Sequence, residues 1–287
     1  MLPTFVIGLR EGVEASLVVG IVAAFLAQQG YRDRLRWVLV GIGTAVLICA
    51  AIGVGLELVN EQLPQRQQEM LEAVIGVAAV IMVTYMIFWM RRHARGLKSE
   101  IENNLGNALA TGSVMALVAM SFFAVLREGI ETVVFLLAIF QGANDPTAAG
   151  IGAVLGLLVA AAIGYGIYRG GVRLNLARFF KLTSVVLVFV AAGLLSNAAE
   201  RAWEAGWLTV LQGQAVDISW LVVPGTWTSA LLTGMLGLQS TMTYAQVLVY
   251  LLYLVPMLAF VLWPDSWRRS VPVRPRQVRG PEATEQI

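Results

Sequence analysis

Seven apolar stretches follow one another along the chain, separated by short polar segments. They lie at 3–28, 37–58, 71–90, 110–140, 147–168, 180–199 and 243–263. About 20 apolar residues in a helix are enough to cross the roughly 30 Å hydrocarbon core of a bilayer. The pattern therefore predicts an all-α polytopic membrane protein with seven transmembrane helices.

The first and fourth stretches contain the same charged motif. Leu9-Arg10-Glu11-Gly12-Val13-Glu14 recurs as Leu126-Arg127-Glu128-Gly129-Ile130-Glu131. At about 100° per residue, the arginine and both glutamates of each copy project from one helix face roughly 100° wide. Charges at membrane depth cost about 2.5–3.5 kcal/mol each, so the two motifs must find compensating partners.

Composition agrees with a membrane protein: 58% of residues are hydrophobic, 13% are charged and the mean hydropathy is +0.74. The one cysteine, Cys49, excludes a disulfide within the chain and a thiolate metal cluster. The amino-terminal stretch has no basic region or small-residue cleavage site, and Arg10 and Glu11 interrupt it. We therefore expect a first membrane span and not a removable signal.

Basic residues predict the orientation. Most Lys and Arg residues lie after the first, third and fifth stretches and in the tail. By the positive-inside rule, the amino terminus is outside and the carboxyl terminus is cytoplasmic. Residues 268–287, which contain five arginines and several prolines, are predicted to form a disordered basic cytoplasmic tail close to anionic lipid.

The segment 200–242 is harder to place. Residues 218–238 are apolar enough for an eighth span, but Pro224 and Gly225 interrupt them and an extra crossing would move the tail outside. We expect an external or re-entrant segment packed on the helices.

The duplicated motif also predicts an internal repeat. Its two copies lie on helices of opposite direction and at similar depth near mid-membrane, which indicates a 3+3 inverted repeat plus one helix, a transporter architecture. The predicted boundaries are 1–98 for repeat one, 107–199 for repeat two and 243–263 for the seventh span, all within a transmembrane permease domain at 1–267.

Together the motifs supply four carboxylates and two arginines. Oxygen ligands without sulfur or imidazole favour iron, manganese, magnesium or calcium over copper(I) or zinc. Arg10 and Arg127 cannot ligate a metal, so their expected role is to pair with the carboxylates and limit their repulsion. The competing interpretation is a purely structural salt-bridge network that pins the helices together.

Arg-Glu-Gly-x-Glu in the first and fourth of seven spans resembles the oxidase-dependent iron permeases, which comprise the fungal high-affinity ferric permease and the bacterial Efe-type permease. The resemblance extends to the stretch Tyr250–Pro256 in the seventh span and to the Glu204-Ala205-Gly206 stretch after the sixth. It implies a high-affinity permease that imports iron (Fe2+ or Fe3+) across the bacterial inner membrane, with iron as transported substrate and no permanent cofactor. It assigns iron binding to Glu11, Glu14, Glu128 and Glu131, and implies a separate ferroxidase or periplasmic iron-handling partner.

Other polar residues give weaker signals. Glu69, Glu72, Glu200 and Glu204 lie near the predicted outer face, where they could collect cations, although such residues are more often solvated loop charges. The one histidine, His93, could belong to an exit path or lie on the surface. Small-residue pairs such as Gly8 and Gly12 favour close helix packing first and a homo-oligomer interface second.

Two further functions stay open at this stage. The substrate could be another divalent cation such as lead or manganese, or the chain could be a membrane enzyme with a carboxylate metal centre. Di-metal carboxylate bundles normally add Glu-x-x-His, which the sequence lacks, so transport is favoured and no enzyme activity is expected. A structural or sensor subunit is the remaining alternative, and nucleic-acid binding is remote.

Overall fold

The computed structural model describes residues 1–28, 30–31, 33, 35–93, 114–141, 145–169, 175–209, 211–222, 226, 232–233 and 236–263. In this part the chain is mostly helical, with seven long helices. They are α1 Leu2–Gln28, α2 Leu35–Gln62, α3 Gln65–His93, α4 Val114–Gln141, α5 Pro146–Tyr168, α6 Leu176–Glu204 and α7 Tyr244–Leu262. Each predicted apolar stretch corresponds to one helix.

The prediction of an all-α fold needs one correction. Strands β1, Gln214–Asp217, and β2, Thr241–Thr243, pair antiparallel inside the 200–242 segment. They form because this segment leaves the helices at Glu204 and returns at Tyr244, so its two ends meet. The predicted tail at 268–287 and the connection between the repeats lie outside the described residues.

Five helices, α2, α3, α5, α6 and α7, are long and apolar enough to cross a membrane. The other two, α1 and α4, carry the motif charges. Local signals fix several helix starts: Asp145 caps α5 by accepting from the Ala148 backbone N–H at 3.0 Å, and Pro146 opens that helix. Thr243 and Gln246 form a reciprocal capping box at the start of α7.

Four of the seven helices form two parallel pairs. Along α1, Gly8 lies against Ala153 and Gly12 against Ala160, so α1 and α5 run in the same direction. Along α2, Gly41 lies against Val118 and Gly53 against Val133, so α2 and α4 also run in parallel. Glycine at these positions lets the helices approach closely.

The contacts of the two pairs correspond residue by residue. Each contact between α1 and α5 has a counterpart between α4 and α2. The residue on α4 is numbered 117 higher than its counterpart on α1, and the residue on α5 is numbered 111 higher than its counterpart on α2. The corresponding contacts are Met1–Gly152 with Val118–Gly41, Gly12–Ala160 with Gly129–Cys49, and Ser16–Gly164 with Val133–Gly53. Since α3 and α6 also start 111 residues apart, at Gln65 and Leu176, the offset extends to a third pair of helices.

Helix α3 is fixed at both ends by arginines. Arg66 donates to the Ala205 carbonyl at the end of α6 at 3.1 Å. Arg91 donates to the carbonyls of Phe260 and Trp263 at the end of α7. Both side chains therefore satisfy carbonyl groups at a helix carboxyl terminus, where a positive charge is also electrostatically favoured.

Residues 236–240 lie deep against α6. Gly237 packs directly on Gly193, which lies 11 residues before the end of α6 and hence about 16 Å from it. Gln239 donates to Asn197 at 2.8 Å and to Glu200 at 2.6 Å, while the buried Gln246 donates to Gln239 at 3.1 Å. These contacts hold the stretch between α6 and α7.

Candidate metal-ion site

The first motif is completely enclosed. Arg10 is 0% exposed, Glu11 1% and Glu14 7%. The Arg10 guanidinium lies 3.8 Å from Glu11 and 3.4 Å from Glu14, which are ion pairs. Within the described residues, its three nitrogens have no partner in hydrogen-bonding geometry.

The second motif repeats this local geometry in a more open setting. Arg127 Nε lies 3.9 Å from Glu128 and donates to Glu131 at 3.1 Å. Glu128 and Glu131 are each 13% exposed, whereas Arg127 is 48% exposed. The Arg127 guanidinium also lies over the Trp89 ring of α3, 5.4 Å from its centroid.

The two motifs meet at their carboxylates. Each of Glu11, Glu128 and Glu131 contributes one carboxylate oxygen, and these three oxygens lie within 4.8 Å of one another. Oxygens that bind one hard cation at about 2.1–2.5 Å lie at most about 4–5 Å from one another. The arrangement is therefore compatible with three carboxylates on one ion.

Several oxygens of this cluster have no hydrogen-bond partner among the described residues, although Arg10 pairs with Glu11 and Glu14 at longer distance. They are both oxygens of Glu11, Glu14 Oε1 and Glu128 Oε2, all buried. Buried polar atoms are normally hydrogen-bonded, and a buried carboxylate without compensation is costly. A cation bound here would supply the interactions that these oxygens lack.

Glycine at the centre of each motif permits the helices to meet. A Cβ on Gly12 would lie 2.6 Å from the Ala160 Cβ, and one on Gly129 would lie 2.5 Å from the Cys49 Sγ. Real Cβ atoms almost never lie that close to another atom, so a side chain at either position would force its neighbour to shift. The motif glycines therefore set the helix spacing around the carboxylates.

The sequence places four glutamates in the site, and the structure groups three of them. Glu14 lies beside Arg10 on the enclosed side and is not part of the three-carboxylate group. It still interacts electrostatically with Glu131 and Arg127 of the second motif. Which of the four glutamates bind an ion stays a prediction.

The predicted outer carboxylates form a different cluster. Arg201 bridges Glu72 at 3.0 Å and Glu204 at 2.8 Å, Gln65 donates to Glu69 at 3.0 Å, and Glu200 accepts from Gln239. The sequence interpretation missed Arg201 as a partner, because α3 and α6 meet only in the folded chain. Cation collection by these residues remains a prediction, and their protein partners favour a role in helix packing.

Two other acidic residues have structural roles. Asp145 caps α5, and Asp217 accepts from the Ser219 backbone N–H at 2.9 Å. Hydrogen bonds from Ser219 lower the pKa of Asp217, so it stays ionised in the turn after β1. The side chain of His93 lies outside the described part of the structure.

Comparison with known proteins identifies the family of the chain. The model of the iron permease FTR1 family matches residues 1–264. The chain belongs to this family.

Bacterial relatives cover almost the whole chain. The ferrous iron permease EfeU of Yersinia pestis is 41% identical over 284 residues, which is 97% of this chain and 99% of the relative. EfeU of Yersinia pseudotuberculosis is 42% identical, over 96% and 97% of the two chains, and EfeU of Escherichia coli O6:K15:H31 is 40% identical, over 93% and 97%. No solved structure matches the chain.

The family relationship confirms several predictions. The relatives are permeases and not enzymes, so the resemblance to iron permeases is confirmed, as is the assignment to transport. In such a family the iron ion is transported substrate and not a resident cofactor. Location as a multi-pass protein of the bacterial inner membrane agrees with the bacterial relatives and with the five apolar helices.

Proposed function

We propose that the protein imports iron through the carboxylates contributed by its two Arg-Glu-Gly-x-Glu motifs. The observation that carries this proposal is the meeting of Glu11, Glu128 and Glu131 within 4.8 Å, with buried oxygens that lack a hydrogen-bond partner in the described residues. An incoming ion exchanges hydration water for these oxygens. Family membership supports iron as the ion.

Charge balance explains why arginines accompany the site. Four ionised glutamates and two arginines leave a net charge of −2, which a divalent ion neutralises. Arg10 and Arg127 reduce the repulsion among the carboxylates before the ion arrives. The relatives are named for ferrous iron, and we propose Fe2+ as the first species to test.

We further propose that all seven helices cross the membrane, with the amino terminus outside. The parallel pairs α1–α5 and α2–α4 support this, because odd-numbered helices must share one direction and even-numbered helices the other. The matching offsets of 117 and 111 residues support an inverted repeat that relates the two pairs. The depth of Gly237 beside Gly193 supports a re-entrant placement of residues 236–240.

Partners follow from the same proposal. Ferroxidase or periplasmic iron-handling proteins would deliver the ion at the outer face, where the carboxylates around Arg201 lie in the proposed orientation. A homo-oligomer would use exposed helix faces such as that of α2.

Radio-iron uptake in cells without other iron importers tests the proposed site. Glu128→Gln keeps the size of the side chain but removes its charge, and we expect uptake to fall at least tenfold at equal membrane abundance. Glu57→Gln, on the exposed surface of α2, is the matched control and should behave as wild type. Normal uptake by Glu128→Gln would disprove the site, and stronger competition by Mn2+ or Pb2+ than by unlabelled iron would identify another substrate.

A further inference from the structure

The two motif arginines differ in exposure although their sequences and ion pairs match. Arg10 is 0% exposed and Arg127 is 48% exposed. The carboxylates follow the same trend, because Glu11 is almost fully buried whereas Glu128 and Glu131 are partly accessible. The site is therefore sealed on the side of the first motif and reachable on the side of the second.

Trp89 shows towards which end of the bundle Arg127 points. Trp89 lies four residues before the end of α3 at His93, or about 6 Å from it. At this end of the bundle Arg91 binds the carbonyls that close α7. Arg127 itself lies in the middle of α4, so its side chain reaches from the carboxylates towards the ends of α3 and α7.

An exposed guanidinium in the middle of a membrane helix requires a polar environment. Arginine facing hydrocarbon is unfavourable, and such residues in membrane proteins normally face the protein interior or a water-filled cavity. The Arg127 side chain is bound on one side to Glu131 and on the other to the Trp89 ring. Water on its remaining side would connect the carboxylates with the solution at that end.

We propose that Arg127 and Trp89 form the gate through which the ion site opens to the cytoplasm. This inference rests on the proposed transport function and orientation, in which α3 and α7 end at the cytoplasmic face. Arg127 shields Glu128 and Glu131, and Trp89 positions the guanidinium when it swings away to release the ion. Arg10 provides no such opening, because its side chain is fully buried.

Thiol accessibility tests the gate without relying on transport. Cys49→Ala removes the native thiol, and single cysteines are then introduced by Ile130→Cys and, as the matched position of the first motif, Val13→Cys. Ile130 lies three residues from Arg127 and is exposed, whereas Val13 is fully buried. Leu252→Cys on the exposed surface of α7 is the control for a lipid-facing position.

A charged, membrane-impermeant thiol reagent should modify the Ile130→Cys protein at least tenfold faster than the Val13→Cys or Leu252→Cys protein in inside-out vesicles. It should have little effect in right-side-out vesicles. Reaction only with a lipophilic maleimide, or equal reaction from both faces, would overturn the gate. Phe123→Cys, one turn before Arg127, repeats the test if Ile130→Cys fails to reach the membrane.

Measurements of iron uptake then distinguish a gating role of Trp89 from a role in helix packing. Trp89→Leu removes the aromatic face and should lower the maximal iron uptake about three- to tenfold without changing the iron concentration for half-maximal uptake, and Trp89→Phe should restore it. Unchanged uptake by Trp89→Leu would refute the role of Trp89. If wild-type vesicles carry no iron while the Ile130→Cys protein shows the expected labelling, the proposed function fails and the opening at Arg127 stands.

Discussion

The two motifs have the same residues and nearly the same ion pairs, yet they lie in different surroundings. The arginine-to-glutamate distance across one helical turn is 3.4 Å in the first motif and 3.1 Å in the second. The residue between glycine and the last glutamate is Val13, 0% exposed, in one copy and Ile130, 38% exposed, in the other. A repeated sequence thus fixes geometry within a helix, while neighbouring helices decide burial.

Helix packing explains the difference. The first motif lies on α1, which packs along α5 and also contacts α4 and α6. The second lies on α4, which packs along α2 and contacts α1, α3 and α5, and yet among the described residues one face of α4 stays open. The first motif is therefore enclosed by neighbouring helices, whereas the second borders the open face of α4.

Replacing the motif arginines should give the largest difference in stability loss between the two copies of the motif. Arg10→Ala leaves Glu11 and Glu14 buried without a counter-charge, so we expect a loss of about 3–5 kcal/mol of stability. Arg127→Ala acts at a half-exposed pair and should cost about 0–1 kcal/mol. Thermal unfolding of the detergent-solubilised protein measures both. Equal destabilisation by Arg10→Ala and Arg127→Ala would contradict the inference that burial makes the first ion pairs more important for stability.

Enlarging the motif glycines should give an intermediate effect. Gly12→Ala pushes a methyl group against the fixed Ala160 Cβ and should cost about 1–3 kcal/mol, whereas Gly129→Ala meets the Cys49 sulfur, which can rotate. We therefore expect a smaller loss for Gly129→Ala.

A double-mutant cycle checks the cause of that loss. Cys49→Ala should largely rescue Gly129→Ala, and Ala160→Gly should rescue Gly12→Ala, when melting temperatures are compared. Gly43→Ala, where a Cβ would meet nothing within 4 Å, is the control and should be neutral or stabilising. Additive losses without rescue would show that the contacts do not set the helix spacing.

Shortening the side chain between the motif glycine and the last glutamate should give the smallest difference in stability loss between the two copies. Val13→Ala removes atoms from the packed core and should cost about 1–2 kcal/mol, while Ile130→Ala should stay within about 0.5 kcal/mol. Unfolding measurements on both variants provide the comparison. A larger loss for Ile130→Ala would indicate that a partner covers α4 in the membrane.

Hydrophobic pattern was sufficient to predict the helices, because a bilayer demands long apolar runs and permits few alternatives. The pattern placed the first helix at 3–28, and the structure begins it at Leu2. Helix ends were less accurate: α3 begins at Gln65 and not near 71, because polar residues extend it beyond the apolar stretch to reach Ala205. The sheet of β1 and β2 was missed, since its strands are short and far apart in sequence.

The composition of the charged cluster was predictable, but its arrangement was not. Duplication of the motif identified the six charged residues, since charges at membrane depth are rare without a function. It did not separate Glu14 from the other three glutamates, nor Arg10 from Arg127, because those differences depend on contacts with α3, α5 and α6. Trp89 carried no sequence signal, because aromatic residues are common near helix ends.

Arg66 and Arg91 at the two ends of α3 have a mechanical consequence. Each holds the carboxyl terminus of a neighbouring helix, Ala205 after α6 and Trp263 after α7. Displacing α3 along its axis would break both attachments together, so α3, α6 and α7 are expected to stay one rigid body during a transport cycle. The pairs α1–α5 and α2–α4, each joined internally through glycines and small residues, are then the parts expected to move relative to this frame.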